Sequence, residues 1–355
     1  MKRNSMRVAA TLFALLTGCA YQEPAPFTAA VTLGGESVDA ATLNKGLVAY
    51  RSYCAPCHGV NGDGRGHAAG GLLTPPRDFR LATYKFAQTV PGRLPHDEGL
   101  KAIVRKGLAG TAMLPWSISD GELSAILQYI KTFSPAEQGW RDEYAEKADK
   151  LDITTNPWTE DERAQAIARG SEVYHGMAQC YSCHPAYEKQ DTIFAMRKIF
   201  YPETETLDFR ANSWLPAAKP SDTYTRPLAE EALCKKSIDC GDGQVCNLGR
   251  CEQKLMIVPP DFTFNPLRTG SKVEDIYRVV SFGVPGTAMP TWIGVLPEKD
   301  LWAMAHYVAS LAEKRFSPAR EDLIAMLKAD AEETKIAAPA GDSAGGDAAP
   351  EAVAQ

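Results

Sequence analysis

Long apolar runs are missing from this chain of 355 residues. None approaches the roughly 18 consecutive apolar residues that cross a bilayer as a helix, which excludes a membrane-spanning one. Basic residues are in deficit as well. Lys and Arg number 38 against 44 Asp and Glu, and a formal net charge of -6 excludes nucleic acid as the main partner, because a footprint on phosphates needs a basic surface. Hydrophobic residues make up 45% of the chain, so general disorder is excluded too, and the length suits two or three domains. Against these absences stand nine cysteines, an odd number that a framework of disulfides alone leaves with one thiol over.

Lys2, Arg3 and Arg7 precede an apolar stretch over residues 8–16 and the small-residue string Leu16-Thr17-Gly18-Cys19. A basic start, a short apolar run and a small-residue site make an export signal over residues 1–18. The last four residues resemble the lipobox of bacterial lipoproteins. That resemblance implies acylation of Cys19, with residues 19–39 as a tether. The mature protein would be lipid-anchored on the periplasmic side of a bacterial membrane, inner or outer. At the other end, residues 315–355 read as an acidic helix followed by an Ala-rich tail without apolar periodicity, expected to be disordered.

Two unrelated strings occur twice, in the same order. Cys54-Ala55-Pro56-Cys57-His58 returns as Cys180-Tyr181-Ser182-Cys183-His184, an offset of 126 in the numbering. Gly110-Thr111-Ala112-Met113 returns as Gly286-Thr287-Ala288-Met289, an offset of 176. Such repetition points to a duplicated domain. C-x-x-C-H is the attachment signature of c-type haem: sulfurs one helical turn apart reach two porphyrin vinyl groups as thioethers, and the adjoining His is held beneath the iron. A redox disulfide or half a zinc site is the alternative for C-x-x-C alone, but the His, the export signal and the second copy speak against both. Each Met sits in a Gly-rich loop ahead of a helix, where its soft, neutral thioether suits the opposite axial position; the plainer role for a Met is to fill a gap in the core. Trp116 and Trp292, three positions after each Met, read as packing against the haem wall. His67, His96, His175 and His306 read as non-ligands.

Around the motifs the spacing is helical. Gly46, Tyr50 and Cys54 fall at intervals of four, and Gly170 and Tyr174 precede Cys180. Leu123, Tyr129, Ile130 and Phe133 are answered by Leu301, Tyr307, Val308 and Leu311 at a common offset of 178. Ser119 with Glu122, and Thr159 with Glu162, have the spacing of capping boxes. In these features the chain resembles the class I cytochrome c family twice, over residues 40–134 and 160–314. The expected fold is therefore all-α: two tandem cytochrome c-like helical domains, with a linker over residues 135–159. The resemblance implies two covalently bound haem c groups, the first held by Cys54, Cys57, His58 and Met113 and the second by Cys180, Cys183, His184 and Met289. His58, Met113, His184 and Met289 would ligate iron. Pro75-Pro76-Arg77-Asp78-Phe79, echoed by Pro259-Pro260-Asp261-Phe262, is similar to cytochrome subunits associated with bacterial respiratory complexes.

Matching the two proline pairs, Pro76 with Pro260, gives an offset of 184 there against 126 at the attachment motifs. The second domain is longer by that difference of 58, a disulfide-rich insertion over about 186–258. Cys234, Cys240, Cys246 and Cys251 lie there with no His among them. In an oxidising compartment they read as two disulfides rather than a zinc site, in any of three pairings. Charge is uneven: residues 59–113 hold eight bases and four acids, and the corresponding 254–289 hold four and three, which suits an acidic partner at the first domain.

The expected function is transfer of single electrons between a redox protein donor and acceptor, other cytochromes or a membrane-associated respiratory complex, with no catalytic residue. Iron with both axial positions filled leaves no vacancy for substrate. One alternative is a dihaem redox enzyme, a peroxidase or sulfur-compound oxidase, which needs an open iron and acid-base groups beside it. The other is a haem-based sensor, which needs a labile ligand.

Overall fold

The computed structural model describes residues 25–150, 153–207, 222–227, 233–242, 244–247, 250–257 and 259–337. The expected export signal, Cys19 and the Ala-rich tail lie outside the described residues.

Helix α1 (Ala40–Tyr53) starts where the Asp39 carboxylate accepts the Thr42 N–H at 2.8 Å, and it buries Leu43, Gly46, Leu47 and Tyr50 along one face. The short α2 (Ala55–His58) carries the first C-x-x-C-H, with Pro56 in its first turn. Helices α3 (Asp97–Lys106) and α4 (Asp120–Lys131) complete the unit. Ser119 caps α4 by accepting the Glu122 N–H at 3.3 Å, as its spacing predicts. Helix α4 crosses α1 at Gly46, where a Cβ would stand 2.1 Å from the Ala125 carbonyl oxygen. Tyr50 fills the angle beside the crossing, its ring 5.3 Å from Tyr129 and 5.2 Å from Phe133.

The second unit repeats this plan. Helix α5 (Arg163–Glu172) crosses α8 (Glu298–Glu313) at Gly170, whose Cβ would stand 2.1 Å from the Ala303 carbonyl, and Tyr174 lies 5.5 Å from Tyr307. Arg169 clamps Asp300 through hydrogen bonds of 2.8 and 2.9 Å. Helix α7 (Val273–Phe282) takes the place of α3. One departure is local. Five residues separate Tyr174 from Cys180, against three between Tyr50 and Cys54. The excess is absorbed by a π-helical turn, Val173–Met177, and by Gln179 in the left-handed region at φ 52°, so the approach to the second motif is not one continuous helix. Helix α6 (Gln190–Phe200) packs against Gly176 of that turn, and α9 (Pro318–Ala337) ties down its start, where Asp330 accepts the Gln190 N–H at 3.0 Å.

Strands are few among the described residues. The hairpin of β1 (Val31–Leu33) and β2 (Glu36–Val38) folds onto the first unit, and Phe27 meets Tyr129 at 6.1 Å, so the segment expected as a tether up to residue 39 is packed from there on. The cause is Trp140. From within the expected linker it returns to bury itself fully against the hairpin, its indole N–H donating to the Tyr84 hydroxyl at 3.2 Å and the Lys131 ammonium 4.6 Å over its ring. In the insertion β3 (Asp222–Pro227), β4 (Gln244–Asn247) and β5 (Arg250–Ile257) form an antiparallel sheet in the order β3-β5-β4. Two disulfides staple it, Cys234–Cys246 and Cys240–Cys251, the first cysteine with the third and the second with the fourth. The expected helical fold holds, and among the described residues the strands lie in the hairpin and this insertion. No described helix is long and apolar enough to cross a membrane.

The two units meet through equivalent surfaces. A Cβ on Gly110 would stand 2.5 Å from Pro266, and one on Gly286 3.1 Å from Thr83; Gly110 corresponds to Gly286 and Thr83 to Pro266. Contacts that exchange equivalent positions mark a two-fold relation, here approximate and internal to one chain. The Ala109 N–H donates to the Arg268 carbonyl at 2.9 Å, and Lys106 pairs with Asp275 at 2.9 Å across the same boundary.

Candidate functional site

Each motif histidine is fixed from beneath by main chain and by a phenyl ring. His58 Nδ1 donates to the Arg77 carbonyl at 3.0 Å, and its ring stacks on Phe79, 4.4 Å between centroids at 16°. His184 Nδ1 faces the Pro260 carbonyl at 3.4 Å, and its ring stacks on Phe262 at 4.8 Å and 24°. Burial pushes both imidazoles down to about 4, so they are neutral near pH 7. With Nδ1 as donor, Nε2 keeps its lone pair, and neither Nε2 hydrogen-bonds to a described residue.

These pairs also set the correspondence between the copies. Arg77 answers to Pro260 and Phe79 to Phe262, an offset of 183. The offset of 184 taken from the proline pairs is therefore too large by one, and the insertion is shorter by one position than that match implies. What repeats is a carbonyl and a ring, and a carbonyl can come from any residue type.

The Met loops are built alike. Gly107 ends α3 at φ 68° and Gly283 ends α7 at φ 69°, and at either position a Cβ would come within 2.7 Å of the carbonyl oxygen of the Met. The Thr111 hydroxyl donates to the Leu108 carbonyl at 2.8 Å and accepts the Met113 N–H at 3.1 Å; Thr287 does the same with Val284 at 2.7 Å and Met289 at 3.1 Å. Within each loop the chain is closed by Leu108 N–H to the Met113 carbonyl at 2.8 Å, and by Val284 N–H to that of Met289 at 3.2 Å.

Loop and motif come together. One continuous cavity of about 1080 Å³ is lined by Cys54, Cys57, His58 and Met113 from the first copy and by Cys180, Cys183, His184 and Met289 from the second. Single ligand pockets run to about 1,000 Å³ at most, and a packed core leaves few voids larger than a water molecule. Its walls are mainly apolar, among them Ile126, Leu127, Val280 and Val308, with Trp116 and Trp292 beside the Met residues. None of the four motif cysteines is in a disulfide, and burial pushes the Cys54 and Cys180 thiols up to about 12. Two thiols, a neutral imidazole and a thioether facing an apolar space are the donor set that covalent haem needs.

The other histidines are engaged elsewhere or exposed. His175 is fully buried, with Nδ1 donating to the Ser171 carbonyl at 2.9 Å and Nε2 accepting the Tyr187 N–H at 3.3 Å. His96 Nε2 lies 2.7 Å from the Ala148 carbonyl, His306 Nε2 lies 2.9 Å from the Asn156 amide, and His67 is exposed. Sequence reasoning missed the hydroxyls of Tyr50 and Tyr174, which donate to the Gly59 carbonyl at 2.6 Å and the Pro185 carbonyl at 2.7 Å and so close the turn past each motif. Gly59 and Pro185 stand at the same offset from one another as the two motifs do.

A helical fold whose first and last helices cross at glycine above a partly buried C-x-x-C-H, with a Met loop lining the same cavity, is that of a c-type cytochrome, the class of protein that binds haem c covalently and serves electron transfer. Residues 41–130 match the family described as cytochrome C oxidase, cbb3-type, subunit III. Among solved structures, a chain of the reducing HAO-like protein complex of Kuenenia stuttgartiensis is similar, with a TM-score of 0.50 and 26% identity over 75% of this chain and 95% of that one. No curated protein matches the sequence.

Proposed function

We propose that the chain is a dihaem cytochrome that passes single electrons between redox protein partners, each haem held by a C-x-x-C-H and a Met. The observation that carries this reading is the duplicated geometry: the same carbonyl, ring and threonine hydrogen bonds surround both His and Met pairs, and all eight residues line one cavity. A haem bound at each site supplies a one-electron Fe(III)/Fe(II) couple. His58 and His184 offer Nε2, made more basic by the carbonyl at Nδ1. Met113 and Met289 offer a thioether that favours the ferrous state, and the Thr111 and Thr287 bonds hold each loop in place, so little rearranges as the charge changes.

The chain is exported, loses residues 1–18 and is anchored through Cys19. The two disulfides agree with an oxidising compartment. The match to an oxidase subunit family and the likeness to a chain of a protein complex support redox proteins as partners. Mass spectrometry of the mature protein tests the haem count, with two haems expected on one polypeptide. Low-spin spectra with a Met-to-iron charge-transfer band and no carbon monoxide binding to the reduced protein are expected at both sites. A single haem, or carbon monoxide binding at either, refutes the reading.

A further inference from the structure

The two halves of the cavity differ in two charged residues, Asp63 and Arg77, both in the first. The charged lining residues are Asp63, Arg77, Asp78, Lys85 and Arg268. Most of these balance between the copies at the offset of 183. Lys85 answers to Arg268, and Asp78 answers to Asp261. Asp78 is held by Arg80 at 2.9 Å and Asp261 by Arg320 at 3.3 Å, so each copy presents a neutralised carboxylate at that place. Asp63, which has no counterpart, is tied into its own turn by accepting the Arg65 main-chain N–H at 3.0 Å. Arg77 has no charged counterpart either, because Pro260 stands in its place. Both residues lend a carbonyl to their histidine, and only one brings a guanidinium.

That guanidinium makes no hydrogen bond or ion pair with a described residue, although it lies on the cavity wall and is largely withdrawn from water. Arginine stays charged under such conditions. The wider layout runs the same way, with eight bases and four acids over residues 59–113 against four and three over 254–289. A positive charge in a poorly solvated place stabilises an added electron nearby, and a unit charge at roughly 10 Å in an effective dielectric of about 20 is worth on the order of tenfold in an equilibrium constant.

Resting on the reading of two haem sites, we infer that Arg77 makes those sites unequal: the first is the stronger electron acceptor, and Pro260 leaves the second the weaker. A single electron on the protein resides at the first site.

Spectroelectrochemical titration of the full two-haem protein is the test, with the haem count taken by mass on the same sample. Two one-electron steps are expected. In Arg77→Gln the higher step alone falls and the equilibrium constant between the two sites drops on the order of tenfold, while Arg77→Lys keeps most of the separation. If Arg77→Gln loses the haem at its own site, the single remaining step is expected at the lower of the two wild-type potentials. The inference is overturned if Arg77→Gln moves the lower step, moves both equally or moves neither, or if the step left after haem loss is the higher one. One haem in the wild-type protein overturns the two-site reading itself, and the mass shows this before any potential is measured.

Discussion

Replacing Thr111 by valine probes the Met loop with almost no change in shape. The hydroxyl donates to the Leu108 carbonyl at 2.8 Å and accepts the Met113 N–H at 3.1 Å, so valine deletes two hydrogen bonds and leaves that N–H without its partner. Each such bond contributes about 0.5–1.5 kcal/mol net, which puts the loss for the ligand-holding conformation at about 1–3 kcal/mol. At about 1.4 kcal/mol per factor of ten, the balance between Met113 bound and Met113 released shifts roughly 5- to 150-fold. The assay is titration of the ferric protein with imidazole, which competes for the vacated position, followed through the Met-to-iron charge-transfer band. The first site of Thr111→Val is expected to bind imidazole more tightly by that factor, with the second site unchanged. Thr287→Val gives the mirror result, and Thr111→Ser stays near wild type. Affinities within twofold of wild type in both valine variants would refute the role given to these hydroxyls.

Gly46→Ala and Gly170→Ala each drive a methyl to 2.1 Å from a helix carbonyl; overpacking of this kind costs about 1–3 kcal/mol or more, and a melting temperature lower by about 10 °C is expected by circular dichroism. His175 is held neutral by burial, its pKa pushed down to about 4, whereas the unfolded chain takes up a proton near pH 6.5. The unfolded state therefore binds more protons between those values, and stability falls as pH drops from 6.5 to 4, by about 3 kcal/mol in all. Denaturant melts of His175→Gln across that range should lose one proton's worth of slope relative to wild type, and an unchanged slope would show that the proton binds elsewhere. Reduction of Cys234–Cys246 and Cys240–Cys251, which close 12- and 11-residue separations, should expose the insertion to proteolysis and leave both haem spectra as they were. Altered spectra would mean that the sheet supports the second site.

The duplicated design was legible because its chemistry needs particular side chains at fixed spacing. Two sulfurs and an adjoining imidazole admit no substitutes, and the Gly-Thr-Ala-Met string repeats the threonine hydroxyl that holds each Met. The parts that escaped are those made by main chain. Any residue can supply the carbonyl beneath a motif His, so Arg77 and Pro260 leave no common letter, and the proline pairs beside them misled the alignment by one. The π-helical turn escaped for a related reason: two added residues before Cys180 leave the apolar pattern nearly intact, and only the backbone shows how they were absorbed. Trp140 lies in a stretch rich in charge that reads as a linker, yet one buried indole is enough to draw that stretch and the N-terminal hairpin into the first core. Cysteine pairing was open because three connectivities fit the same spacing, until the antiparallel register set Cys246 opposite Cys251 and sent each to a different partner.

The insertion also bears on the order in which the molecule assembles. His58 finds its carbonyl 19 residues away, whereas His184 must wait for one 76 residues away. Two doublings of loop length raise the closure entropy by about 1.2 kcal/mol, and contacts between distant residues form late in folding. The disulfides tie off part of that loop without removing it. Loop closure therefore favours clamping of the first histidine before the second, so the two halves, alike once finished, are expected to be reached one after the other.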